Sequence, residues 1–218
     1  MREKKVLIFN LGGALLMPTD EVIAIWCEAI RSVGLIPDYA KIYLNYDKSY
    51  LDVVIPEMAK ERGWTDLQVA EIIKFTNKRF HDANMNNNLE LPDKLKELKV
   101  RGYALGVITD QNRLKLSKGL NKIGCTIDLF DFVSTSDDGF KKPDSRVLAK
   151  ILEKYRPQEM LIIGQDHHRE FMMAQKLGVD FVAITSPTFP IGFWQVMLKD
   201  NGKIYSLVSH FINDFLSE

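Results

Sequence analysis

Short runs of consecutive apolar residues alternate along this chain with longer stretches in which apolar positions recur every three or four residues. The runs are Val6 to Leu11, Tyr103 to Thr109, Phe132 to Thr135, Met160 to Gly164 and Phe181 to Thr185. Short, mainly apolar runs of that length predict buried strands, and their alternation with helical periods predicts a parallel sheet between two layers of helices. Between the last four runs the predicted helices are Arg113 to Ile123, closed by Gly124, and Ser145 to Tyr155, stopped by Pro157. A third, Glu170 to Leu177, ends at Gly178, a residue suited to the left-handed helix cap.

The first connection breaks this rhythm. About ninety residues separate the first two runs, far more than a crossover needs, so a module is inserted there. Thr19-Asp20 can cap a helix whose apolar residues Val22, Ile23, Trp26, Cys27 and Ile30 fall at helical spacing before Gly34. Amphipathic segments follow at Ser49 to Arg62 and Thr65 to Ala83. The expected organisation is a core of residues 1–16 and 89–218 with a small helical bundle at 17–88. The asparagine-rich stretch Asn84 to Asn88 is expected to be the hinge back to the core. Leu91-Pro92 then opens a helix through Val100. Near the C-terminus, Thr185 to Gly202 reads as an irregular loop with one helical turn, and Ile204 to Leu216 as a helix whose apolar stripe faces the sheet.

Composition narrows the function classes. Basic and acidic residues balance at 29 each in 218 residues, so no global field draws the chain to nucleic acid or to an anionic membrane. Cys27 and Cys125 have no metal-binding or redox spacing and read as small buried hydrophobes. The apolar run Val6 to Phe9 is too short for a signal peptide or a membrane span. A soluble cytoplasmic protein is the expectation.

Chemistry is expected where parallel strands end, because ligands of such sheets bind beyond the strands' carboxyl ends. The first run leads into Asn10-Leu11-Gly12-Gly13-Ala14, the second into Thr109-Asp110. The third precedes Ser136-Asp137-Asp138-Gly139-Phe140-Lys141-Lys142-Pro143-Asp144, and the fourth leads into Gly164-Gln165-Asp166-His167-His168-Arg169-Glu170. This ordered series resembles the four motifs of the haloacid dehalogenase-like (HAD) superfamily, in the branch of phosphatases related to phosphoglycolate phosphatase. The resemblance runs from Val6 to Thr185. It implies a three-layer Rossmann-like α/β core with an inserted α-helical cap domain. By the same resemblance Thr109 and the Asp110 amide bind phosphate, Lys142 rather than Lys141 neutralises the transferred group, and Asp166 and Glu170 hold magnesium.

The first motif departs from that pattern. The superfamily reads Phe-Asp-x-Asp-Gly-Thr-Leu there, its first Asp attacking phosphorus and its second moving the proton; here these positions hold Asn10 and Gly12, and Ala14 replaces the Thr. A neutral carboxamide is a poor nucleophile, and glycine carries no proton. Magnesium binding should weaken too. Two unit charges 4 Å apart at an effective dielectric of about 20 interact by roughly 4 kcal/mol, and a charge at ligand distance from a dication matters more. Gln165 is a further departure, standing where the family usually has Gly.

The expectation is therefore a catalytically inactive relative that binds a small phosphorylated or carboxylate ligand, or a protein partner, with magnesium weak or dispensable. In the absence of metal, Lys142 is expected to pair with Asp166. The rival is a magnesium-dependent phosphohydrolase of unorthodox chemistry that uses His167, His168 or Asp110, since a histidine at the sheet edge can titrate near neutral pH. Asp20, Glu21, Asp137 and Asp138 read as capping or solvated loop residues, and the aromatic C-terminal residues as core.

Overall fold

The computed structural model describes residues 4–16, 19–45, 50–87, 90–186, 189–199 and 202–217. Its sheet is six-stranded and wholly parallel: β1 (Val6–Asn10), β2 (Ala104–Ile108), β3 (Phe132–Ser134), β4 (Met160–Gly164), β5 (Asp180–Ile184) and β6 (Lys203–Tyr205), in the order β3-β2-β1-β4-β5-β6. The chain leaves β1 toward β2 and β3, then returns to the other side of β1 for β4. The strand order therefore reverses between β1 and β4, which is where an open parallel sheet forms its ligand crevice.

Period-two alternation explains both faces. Leu7, Phe9, Leu105, Val107, Leu161 and Ile163 share one apolar cluster, whereas Val6, Ile8, Ile108, Met160 and Ile162 share another. The first face is covered by Leu91, Leu95 and Leu98, by Leu116 and Leu120, and by Phe211, Ile212 and Phe215. The second is covered by Val147, Leu148 and Ile151 and by Met173 and Ala174. Each such side chain contributes about 1.5–3 kcal/mol when fully buried, so this double burial fixes β1 and β4, all of whose residues are inaccessible.

Among the described residues the α-helices are α1 (Thr19–Ser32), α2 (Tyr39–Leu44), α3 (Ile55–Arg62), α4 (Asp66–Asn87), α5 (Leu91–Val100), α6 (Arg113–Lys122), α7 (Ala149–Leu152), α8 (Met172–Leu177), α9 (Ile191–Leu198) and α10 (Val208–Ser217). The chain divides into two compact units, one of Met1–Pro18 with Asn88–Glu218 and one of Thr19–Asn87. The second unit has its own core, in which Ile23, Trp26, Ile30, Ile42, Ile55, Met58 and Ile72 are buried. Among the described residues no helix is long and apolar enough to cross a membrane.

Several boundaries differ from the sequence pattern. The asparagines Asn84 to Asn87 continue α4 instead of forming a hinge, and Asn88 lies outside the described residues. Thr19 and Asp20 are inside the first turn of α1 and do not precede it; their side chains lie outside the described residues. Ser49 is outside them as well, and the segment predicted from it is a π-helical turn, Tyr50–Val54, running into α3. Ile204 belongs to β6, because its register with Ala183 adds a sixth strand that its helical spacing from Leu207 and Val208 had hidden. Thr185 to Gly202 includes the two-turn helix α9, while Pro187 lies outside the described residues. The helix predicted over Ser145 to Tyr155 is a 3-10 turn, Ser145–Leu148, followed by the single turn of α7.

Candidate functional site

The ends of β1, β2 and β4 meet at the strand-order reversal and bring together nearly every residue the motifs single out. After β1 the chain closes a tight loop, with the Leu15 amide bonded to the Asn10 carbonyl and the Leu16 amide to the Leu11 carbonyl. Gly13 sits there at φ +88°, and a Cβ on it would lie 2.0–2.4 Å from the Gln165 side chain. Gln165 is buried and fills the space that Gly13 leaves. The two positions are therefore matched, with Gln165 packed on the loop that follows β1.

Asn10 is buried and its amide is fixed at both ends. Its Oδ1 accepts from Lys142 Nζ at 2.6 Å, and its Nδ2 donates to the Gly12 carbonyl. A flipped amide would face one oxygen with another and the ammonium with an NH2, so only this orientation satisfies all four groups. Lys142 Nζ also lies 2.9 Å from Glu170 Oε1, an ion pair whose side chains are 4% and 0% exposed. Burial pushes the Glu170 carboxyl above its ordinary range, and the Lys142 ammonium opposes that shift. Gly164 is required beside it, since a Cβ there would come within 2.9 Å of the Glu170 side chain.

The loop before Lys142 is anchored by Asp110. Asp110 Oδ1 accepts from the Lys142 amide at 2.9 Å, and Oδ2 accepts from Arg169 Nη1 at 3.0 Å. Thr109 is buried, its hydroxyl accepting from the Gln111 amide at 3.2 Å. Asp166 is not the partner of Lys142. Its Oδ1 instead accepts from the amides of His168 and Arg169 at 2.8 and 3.1 Å, capping a helix that starts as a π-turn, His167–Phe171, and continues into α8. The pairing shifts from Asp166 to Glu170 because Asp166 is consumed as a cap, whereas Glu170, one turn on, points inward and needs a counter-charge. The same early start corrects the helix predicted to begin at Glu170.

The remaining candidates are placed elsewhere. His167 packs among the rings of Phe171, Phe193 and Trp194, at centroid distances of 5.4, 5.4 and 6.4 Å. Burial holds its imidazole below its ordinary value, and the neighbouring His168 acts in the same direction. His168 lies against Phe189. Asp137 accepts from the Arg113 amide at the start of α6, and Asp138 from the Thr135 amide in a capping box, so both are structural. Glu21 lies within α1, and Lys141 is exposed while Lys142 is buried. Cys27 and Cys125 are free and buried, and burial pushes the Cys125 thiol up to about 11. Two contributors went unassigned in the sequence: Arg169 and Gln165. Arg169 stands three residues after Asp166 on one helical turn, a spacing that puts the two side chains on one face.

This arrangement of strand ends and loops coincides with a family profile: that of the haloacid dehalogenase-like hydrolases matches residues 7–184. The chain belongs to that family. It is 32% identical over 186 residues, 82% of each chain, to the pyrophosphatase PpaX of Bacillus mycoides. Among solved structures the HAD-family fold is shared by a hydrolase from Pseudomonas syringae (TM-score 0.59, 18% identity, covering 98% of this chain and 99% of that one). It is shared too by YfnB of Bacillus subtilis in its magnesium-bound form (TM-score 0.57, 14% identity, 99% of each chain).

Magnesium, which the HAD family implies, does not fit the donors of this chain as they stand. The Asn10 and Gly12 oxygens already accept from Lys142 and from the Asn10 amide, Glu170 is paired with Lys142, and Asp166 holds two backbone amides on Oδ1 with Arg169 Nε 3.7 Å from Oδ2. Among the described residues no group of three or more His, Cys, Asp or Glu side chains is disposed to hold a metal ion.

Proposed function

We propose that this HAD-family chain has lost phosphoryl transfer and works as a binding or regulatory module derived from a phosphatase of the phosphoglycolate-phosphatase type. One observation carries the reading: the side chain at the nucleophile's position is a carboxamide locked between Lys142 and the Gly12 carbonyl. Its oxygen is neutral, already accepts from Lys142 and is a poor nucleophile toward phosphorus, and Gly12 offers no acid for the leaving group. Thr109, the Asp110 amide and Lys142 remain as a potential anion cradle for a phosphorylated or carboxylate ligand. Such a ligand would have to compete with Glu170 for Lys142, so its binding should be modest and unaccompanied by turnover. The similarity to pyrophosphatases makes pyrophosphate the first compound to try.

The test is a hydrolysis assay with magnesium on pyrophosphate, an aryl phosphate and a panel of phosphorylated metabolites. The wild-type chain is expected to show no turnover above a denatured control. Turnover abolished by His167→Ala or Asp110→Asn would overturn the reading in favour of an unorthodox hydrolase. The ring packing of His167 and the two structural bonds of Asp110 support the inactive reading instead. Calorimetry with the same compounds then asks about binding alone. If none binds, the anion-ligand version fails and a protein partner is left as the object of the module.

A further inference from the structure

The polar groups at the strand-order reversal contain more internal compensation than loss of a nucleophile requires. Three carboxylates, Asp110, Asp166 and Glu170, are drawn together by the fold, and two cations stand among them. Lys142 Nζ is 2.9 Å from Glu170 and 4.0 Å from Asp110. Arg169 donates through Nη1 to Asp110 at 3.0 Å, while its Nε lies 3.7 Å from Asp166. The guanidinium thus bridges a carboxylate at the end of β2 to one at the end of β4.

We infer that Arg169 is a resident cation that takes over the electrostatic role of a divalent ion in this centre, making the assembled site independent of metal. The inference deepens the reading of an inactive site and rests on it, because the charge balance includes Asn10 and Gly12. Relative to a site with Asp at positions 10 and 12 and no arginine at 169, Asn10 and Gly12 each remove one negative charge and Arg169 adds one positive charge. The centre is thereby three units more positive, so its carboxylates are balanced without the two charges a dication would bring. A guanidinium supplies this charge permanently, with planar donors that match two carboxylates at once. It also occupies Asp110 and flanks Asp166, so a metal approaching these oxygens meets a positive charge already in place. Arg169 acts here as a positioning residue: it ties β2 to β4 and holds Asp110, which in turn holds the Lys142 backbone amide at 2.9 Å.

The deciding experiment measures metal affinity, so it is separate from any assay of turnover. Asn10→Asp/Gly12→Asp restores the acids of the first motif and keeps Arg169; a second variant adds Arg169→Ala, and a third adds Arg169→Gln in case the alanine form does not fold. Manganese, whose free ion is read directly by paramagnetic resonance, is titrated into each, and magnesium is checked by the shift it causes in thermal unfolding. Removing a positive charge that stands 3.7 Å from an Asp166 oxygen in a half-exposed site should tighten binding about tenfold or more. Both forms lacking Arg169 are therefore expected to bind manganese at least about tenfold more tightly than the form that keeps it. Equal affinities would overturn the inference while leaving the inactive reading intact. Turnover by the wild-type chain would overturn that reading, whatever the affinities.

Discussion

Two corners of the same sheet edge are built from one five-residue segment, His167–Phe171, and they satisfy its side chains in opposite ways. On one side Glu170 turns into an ionic cluster with the buried Lys142 and Asn10, with Asp110 and with the half-exposed Arg169. On the other, His167 and Phe171 join Phe181, Phe193 and Trp194 in an aromatic cluster whose neighbouring ring centroids lie 5.4–5.6 Å apart. The ionic corner lies at the carboxyl ends of β1, β2 and β4, where oppositely charged groups stand within reach of one another. The aromatic corner has only packing to maintain. An ionic cluster is held by pairing, so its members stand or fall together, while an aromatic cluster is held by contact area, to which each ring adds its own share.

Double substitutions separate the two cases. Glu170→Ala takes from the buried Lys142 ammonium its carboxylate at 2.9 Å, leaving the neutral Asn10 amide and Asp110 at 4.0 Å, and should cost up to about 3–5 kcal/mol in urea unfolding. Adding Lys142→Met removes the orphaned charge and should recover most of that loss. Trp194→Ala, at a residue that is fully buried, should also cost about 3–5 kcal/mol, but through lost packing and a cavity. Adding Phe193→Ala should then lower stability further. If the ionic double variant is no more stable than Glu170→Ala alone, the corners do not differ in the way their contacts indicate.

A smaller effect tests the seam between the corners. Asp166 caps the segment through two backbone amides, so Asp166→Ala should cost about 0.5–2 kcal/mol, and Asp166→Asn, which keeps an accepting oxygen, much less. Equal losses in both variants would mean that charge beside Arg169, and not the cap, is what Asp166 contributes.

The frame of this site was legible in the sequence because it rests on signals with a single physical source. Val6 to Phe9 and Met160 to Gly164 are apolar without interruption since both faces of those strands are covered, and the positions that follow them fall at the carboxyl edge by geometry alone. Lys142 over Lys141 was legible through the motif. The partner of Lys142 was not, because Asp166 and Glu170 are both acids within reach, and only the cap geometry shows that the first is already taken. Arg169 was passed over since a lone arginine in a polar helix start usually reads as solvated. β6 was hidden because Lys203 to Tyr205 is too short to carry a strand period of its own and Ile204 also fits a helical stripe. The asparagines before Asn88 looked like a turn by propensity, yet helix α4 simply continues through them, a case of context overriding a weak local preference.

The mildest prediction contrasts the two ends of β4. Past its carboxyl end lies the buried Lys142–Glu170 pair; just before its amino end, Glu159 accepts from the Arg156 amide at 2.9 Å and pairs with Lys5 at 2.6 Å, where Lys5 is well exposed. The Lys5 ammonium, followed by the Arg156 amide, pulls the Glu159 carboxyl down from 4.5 to about 2. A carboxyl lowered on folding adds stability that is complete above its unfolded value and disappears as the pH falls through its folded value. Between about pH 4.5 and 2, therefore, the wild-type chain should lose this contribution progressively, and Glu159→Gln should flatten that part of the curve. At neutral pH the variant should unfold at a slightly lower temperature, since the exposed lysine is screened by water and salt. Thermal melts at half-unit pH steps measure both. An unchanged acid limb in Glu159→Gln would show that the exposed end of β4 carries no linked proton, leaving the acid sensitivity of the chain to its other carboxylates.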